Sequence, residues 1–108
     1  MTVVAPQTSL SFPGVEHLRQ QLGAAQQKDE GVLVDLSMVG SVDYTAARGL
    51  CAKVKAMRKA GVVVEVCCAN PGVLVTLEAV YGDGLEARRS LEEATGGLAP
   101  GASMVTLV

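Results

Sequence analysis

The sequence predicts an α/β fold, a mixed β-sheet of four to five strands flanked by about four helices, with parallel crossovers in its middle. Three observations carry this. Short Val- and Leu-rich runs, GVLVDLS at 31–37 and VVVEVCCA at 62–69, have the character of strands covered on both faces. Around them, apolar residues recur at three- and four-residue spacing, the period of a helix with one buried side. Gly, Pro and Asn mark the points where one kind of segment gives way to the other. The 108 residues suit one domain with a single core. That domain is assigned to residues 1–95, and residues 96–108 to a flexible C-terminal tail.

Taken in order, Thr2–Ala5 and Thr8–Phe12 are strand-like and flank Pro6-Gln7, which predicts a small hairpin or edge pair turning at Pro6. Pro13 is placed to open a helix. Val15, Leu18, Leu22 and Ala25 give that helix an apolar stripe, and it is expected to end near Lys28–Glu30. After the 31–37 strand, the loop Met38–Val42 leads to Asp43, an N-cap residue. Ala47, Leu50, Cys51, Val54 and Met57 form the stripe of the next helix, and Arg48, Lys55 and Lys59 lie opposite, with Lys53 and Arg58 nearby. Gly61 stops this helix before the 62–69 strand. Asn70-Pro71 caps and opens a third helix carrying Leu74, Leu77 and Val80 or Tyr81, and Gly82-Asp83-Gly84 breaks it. A short edge strand is expected at Glu86–Ser90. Ser90-Leu91-Glu92-Glu93 has capping-box spacing for a last helix, and Gly96-Gly97 ends it.

Composition excludes several functions. Nine Lys and Arg against eleven Asp and Glu leave a net charge of −2, without the basic excess of a nucleic-acid footprint. Phe12, Tyr44 and Tyr81 are the whole aromatic complement, so no stacking platform for single-stranded nucleic acid exists. Mean hydropathy is +0.34, on the apolar side, yet no run approaches the length of a membrane span. Residues 1–12 lack the pattern of a signal peptide. Three cysteines, two of them adjacent, do not make a secreted disulfide framework, and a reducing compartment is expected.

Each chemistry-bearing residue also has a structural reading. Asp35 and Asp43 read as a strand-end polar residue and an N-cap rather than a catalytic pair. His17 lacks the partners that a triad or metal site needs. Cys67-Cys68 is either a redox or soft-metal pair or two small buried side chains. Neighbouring residues in a strand point to opposite faces, so their sulfurs are expected to diverge, which favours the latter. The turns carrying Ser37 and Asn70 open toward helix N-termini and form a candidate anion or nucleotide crevice. The basic residues of the second helix read as a solvated face, or as a docking face for an acidic surface. The end, Thr106-Leu107-Val108, resembles the C-terminal ligands of PDZ domains. No catalytic residue, metal or cofactor is assigned.

In sequence, VLVDLSMVGSVDYTAARGL, KAGVVVEVCCANPGVLVTLEAV and SLEEA together resemble the STAS domain, shared by sulfate transporters and anti-sigma factor antagonists. SLSFPGVEHLRQQL is similar to the transporter members in particular, and its pairing with VDYT resembles the animal sodium-independent sulfate anion transporter branch of the SulP family. The resemblance spans Thr8 to Ala94 and implies a mixed sheet with helices beside it. It further implies a cytoplasmic regulatory and protein-interaction domain of a multi-pass membrane transporter, not an enzyme. Its partners would be the transmembrane domain of the parent transporter, a second copy in a homodimer, and other cytosolic regulatory proteins. The alternative is a stand-alone anti-sigma factor antagonist acting as a phospho-switch. In those relatives a Ser of the Asp-Ser-Ser-Gly stretch accepts phosphate; here the stretch is Asp43-Tyr44-Thr45-Ala46, so Thr45 is the candidate phosphoacceptor and Tyr44 and Ala46 depart from the pattern. Asp43, Tyr44 and Thr45 form the expected interaction loop.

Overall fold

The computed structural model of the chain describes residues 2–7, 9–26, 31–87 and 103–107. Its elements run β1 (Thr2–Pro6), α1 (Phe12–Gln26), β2 (Val32–Asp35), α2 (Tyr44–Lys59), β3 (Val64–Cys67), α3 (Pro71–Tyr81) and β4 (Ser103–Leu107). The strands form one sheet in the order β3-β2-β1-β4. All three pairings are parallel, through Val3↔Leu33, Val34↔Val66 and Val4↔Val105 among others. The described sheet is therefore parallel rather than mixed.

Every residue of β2 is buried. Its side chains alternate between faces, as a strand requires. Val32 and Val34 join Val4, Val64 and Val66 in the main core, where Leu18 and Leu22 of α1, Leu50 and Met57 of α2, and Leu77 of α3 meet them. Leu33 turns to the other face, with Val3 and Cys67. Burial on both faces is what a Val-rich central strand predicts, and it leaves the strand no room for polar side chains except at its end.

The expected N-terminal hairpin does not form. Pro6 closes β1 instead of turning the chain, beyond the β1–β2 register that ends at Val4, so its missing N–H falls outside that ladder. Leu10 bridges Val42 in parallel, and Phe12 already begins α1. No strand forms at Glu86 and Ala87, and the rest of the expected edge strand and the helix at 90–95 lie outside the described residues. The tail assigned to 96–108 also differs from expectation, because 103–107 form β4 against β1. A pairing with the first strand of the chain leaves no local signature in a segment introduced by Pro and Gly.

Two glycines are set by geometry. Gly49 brings α2 close to α1, where an added Cβ would meet Val15 Cγ1 at 3.4 Å. Gly61 has φ +89, the left-handed turn that releases the chain from α2 into β3.

Arg58 belongs to the structure rather than to a solvated basic face. Its Nε and Nη2 donate to Val64 O at 3.1 and 2.8 Å, Nη2 also to Leu85 O at 3.2 Å, and Nη1 to Gly84 O at 3.0 Å and Tyr81 Oη at 2.9 Å. One guanidinium thus ties the end of α2 to the start of β3 and the end of α3, using the fan of donors only arginine offers. Lys55 completes this corner, with Nζ 4.8 Å from the Tyr81 ring centroid. Arg58→Ala strips partners from several carbonyls at once and is expected to cost about 2–4 kcal/mol, measured by urea unfolding. Lys59→Ala, on an exposed position of the same turn, is expected to cost no more than about 0.5 kcal/mol.

Candidate functional site

Two strand-to-helix turns meet at the C-terminal end of the sheet, 36–43 after β2 and 68–70 after β3. Each ends in an N-cap. Asp43 Oδ1 accepts the N–H of Ala46 at 2.7 Å, and Asn70 Oδ1 accepts that of Val73 at 2.9 Å. Asn70 also reaches across the gap: its Nδ2 donates to Gly40 O at 3.0 Å and Val39 O at 3.3 Å. One amide therefore caps α3 and clamps the neighbouring loop.

The other side of that loop is held by the segment after β1. Ser41 N–H donates to Ser9 Oγ at 3.2 Å, Leu10 N–H to Ser41 O at 3.0 Å, and Asp43 N–H to Leu10 O at 3.2 Å. Val39 is buried beneath the loop. Held on both flanks and anchored below, the turn presents Met38 and Tyr44 outward, 58% and 64% exposed. The Arg48 guanidinium lies 5.9 Å from the Tyr44 ring centroid, one helical turn along. Thr45 is exposed in the first turn of α2, and Ala46 is buried against the core.

The structure thus brings Asp43, Tyr44 and Thr45 together with Asn70 around one loop. Ser37 sits at the near end of the same loop, exposed, with its N–H given to Asp35 Oδ1 at 2.9 Å. Asn70, at the candidate crevice, is exposed, and its oxygen and nitrogen both have backbone partners. Asp35 and Asp43 each serve a backbone N–H of their own turn, and His17 is exposed on α1. Thr106 and Leu107 lie in β4, paired with Ala5 and Pro6, and Val108 lies outside the described residues. An open depression of about 360 Å³ lies at the other end of β3, lined by Arg58, Val64, Glu65 and Glu86 among others.

Sequence reasoning misplaced one pair. Cys68 leaves the strand with φ 66, which swings its side chain back so that its Sγ–H donates to Cys67 Sγ at 3.3 Å. The two sulfurs converge rather than diverge. A left-handed backbone at a residue with a Cβ costs about 1–2 kcal/mol. Burial pushes the Cys67 thiol well above its ordinary pKa, reinforced by the Cys68 hydrogen bond and by the nearby Cys68 and Asp35. Burial also raises that of Cys51, and Lys55 partly offsets it.

A family model described as the STAS domain matches residues 1–94. The chain belongs to the STAS domain family. No curated protein sequence matches it. Among solved structures, this STAS domain is similar to murine Solute Carrier 26 family member A9, an anion transporter, at 22% identity and TM-score 0.71, over 86% of this chain and 17% of that one. It is also similar to RsbS of Moorella thermoacetica, at 21% identity and TM-score 0.68 over 87% of this chain and 83% of that one. A third likeness is to the SulP transporter STAS domain of Vibrio cholerae, at 22% identity and TM-score 0.60 over 85% and 75%. These likenesses establish the fold, and the STAS domain spans only a small part of the murine transporter. Among the described residues no helix is long and apolar enough to cross a membrane.

Asn70→Ala removes a cap and a clamp, and is expected to cost about 2 kcal/mol against about 1 for Asp43→Ala, compared by thermal and urea unfolding. Asn70→Asp keeps the acceptor and loses the donor, and should fall between wild type and Asn70→Ala. The raised thiol pKa values favour the neutral form in the folded state. The stability they protect is present below the ordinary thiol pKa near 8.5 and is lost progressively as pH rises above it. Unfolding free energies measured between pH 7 and 10 should show this fall, with a shallower slope in Cys51→Ala.

Proposed function

We propose that this STAS domain is the regulatory, protein-interaction domain of a multi-pass anion transporter, held on the cytoplasmic side of the membrane, and that it works by contact rather than by catalysis. The observation that carries the proposal is Tyr44, a large side chain 64% exposed at the start of a helix whose entry loop is pinned on both flanks. An aromatic group on a rigid turn loses little side-chain entropy on docking and is the kind of anchor that dominates interface energies. Arg48 beside it offers a charge to an acidic partner surface. Its partners in this reading are the transmembrane domain of the parent protein and a second copy of that protein, with cytosolic regulators besides. The pairing of FPGVEHLR with VDYT favours the transporter branch over the free-standing antagonists.

A second reading has its own observation. Thr45 is exposed in the first turn of α2, where the helix dipole tolerates added negative charge, as a phospho-switch requires. The two are separated by one set of variants. In the full-length parent protein, Tyr44→Ala should lower anion flux or dimer cross-linking severalfold, with the thermal midpoint of the isolated domain unchanged. Unaltered flux and cross-linking would overturn the contact role. Stoichiometric phosphate on Thr45 after incubation with kinase and ATP, seen by mass spectrometry and absent from Thr45→Val, would favour the switch instead.

A further inference from the structure

Asp35 and Cys67 are register partners at the ends of adjacent parallel strands, so their side chains leave the sheet on the same face. The left-handed turn at Cys68 adds a third donor to that face. The two sulfurs and a carboxylate oxygen of Asp35 all lie within 4.8 Å of one another. We propose that Cys67, Cys68 and Asp35 form a binding site for a thiophilic divalent cation of the zinc class, leaving a further position for water or an incoming ligand.

The distances suit this chemistry. Zinc–sulfur bonds of about 2.3 Å at a tetrahedral angle put two thiolates roughly 3.7 Å apart. The observed sulfur separation of 3.3 Å needs only a small opening of the side chains to reach that value. A disulfide fits less well. Adjacent Cα atoms are about 3.8 Å apart across a trans peptide, shorter than the roughly 4.4–6.8 Å a disulfide prefers. The carboxylate is already oriented, since the Ser37 N–H holds Asp35 Oδ1 at 2.9 Å. Cys67 and Asp35 are buried and Cys68 is partly exposed, which gives an ion a way in from the Cys68 side.

Two thiols and one aqueous ion give a dithiolate complex and two protons released to solvent, with no change of oxidation state. Binding would tie the β2 and β3 ends together two residues before Asn70, the residue that clamps the candidate interaction loop.

The test is a titration of the reduced chain with Co²⁺, read by the thiolate-to-cobalt charge-transfer absorption, with Zn²⁺ as competitor and circular dichroism to follow the fold. The expected result is saturation at a single equivalent, release of about two protons per ion, and displacement by Zn²⁺. Loss of an outer-shell partner costs about 10–100-fold in affinity, so Cys68→Ser and Asp35→Asn, which each remove a direct donor, should weaken binding by at least that much, and Cys51→Ser should leave it unchanged. Cys68→Gly removes a donor and relieves the backbone at once: it should melt no lower than wild type and give no charge-transfer band. Absence of the band in the folded wild type, its survival in Cys68→Gly, or its appearance only as the fold is lost would each overturn the proposal.

Discussion

β2 is buried from end to end and on both faces, and the arrangement of the candidate site depends on that constraint. A dry parallel strand cannot carry polar side chains along its length, so they gather where it stops. Asp35, Ser37, Ser41 and Asp43 all lie within the few residues that follow the last apolar pair, and the adjoining strand delivers Cys67, Cys68 and Asn70 to the same end. The sheet thus acts as a hydrophobic support that concentrates polar chemistry along one rim, in loops whose backbone is tied down by hydrogen bonds.

The central part of this arrangement was legible in the sequence for local reasons. The two Val-rich strands, the three helical stripes and the caps at Asp43 and Asn70 are each written within a dozen residues, by periodicity and by side chains that serve their own turn. What escaped depends on pairing at a distance. Pro6 looked like a turn because nothing nearby reveals that the chain continues past it to pair Leu10 with Val42. β4 carries no local strand signature because its partner, β1, is distant in sequence. Arg58 looked solvated on its helix, because the carbonyls it serves belong to β3 and to the segment after α3.

The site was legible in the same measure. Asp43, Tyr44 and Thr45 could be placed at a helix start from sequence alone, and so could the capping role of Asn70. The second role of Asn70, spanning to Val39 and Gly40, could not, since it requires knowing that the two turns are neighbours. The convergence of the vicinal cysteines was hidden by a single backbone angle: alternation along a strand holds only while the strand lasts, and Cys68 is the first residue beyond it.

The position of β4 has a mechanical consequence. β1 and β4 run side by side in the same direction, with Thr2 opposite Ser103 and Pro6 opposite Leu107. Tension applied between the start of β1 and the end of β4 therefore loads this ladder along its length. The bonds must yield together in shear instead of peeling open one by one, so the β1–β4 seam resists traction along its own direction.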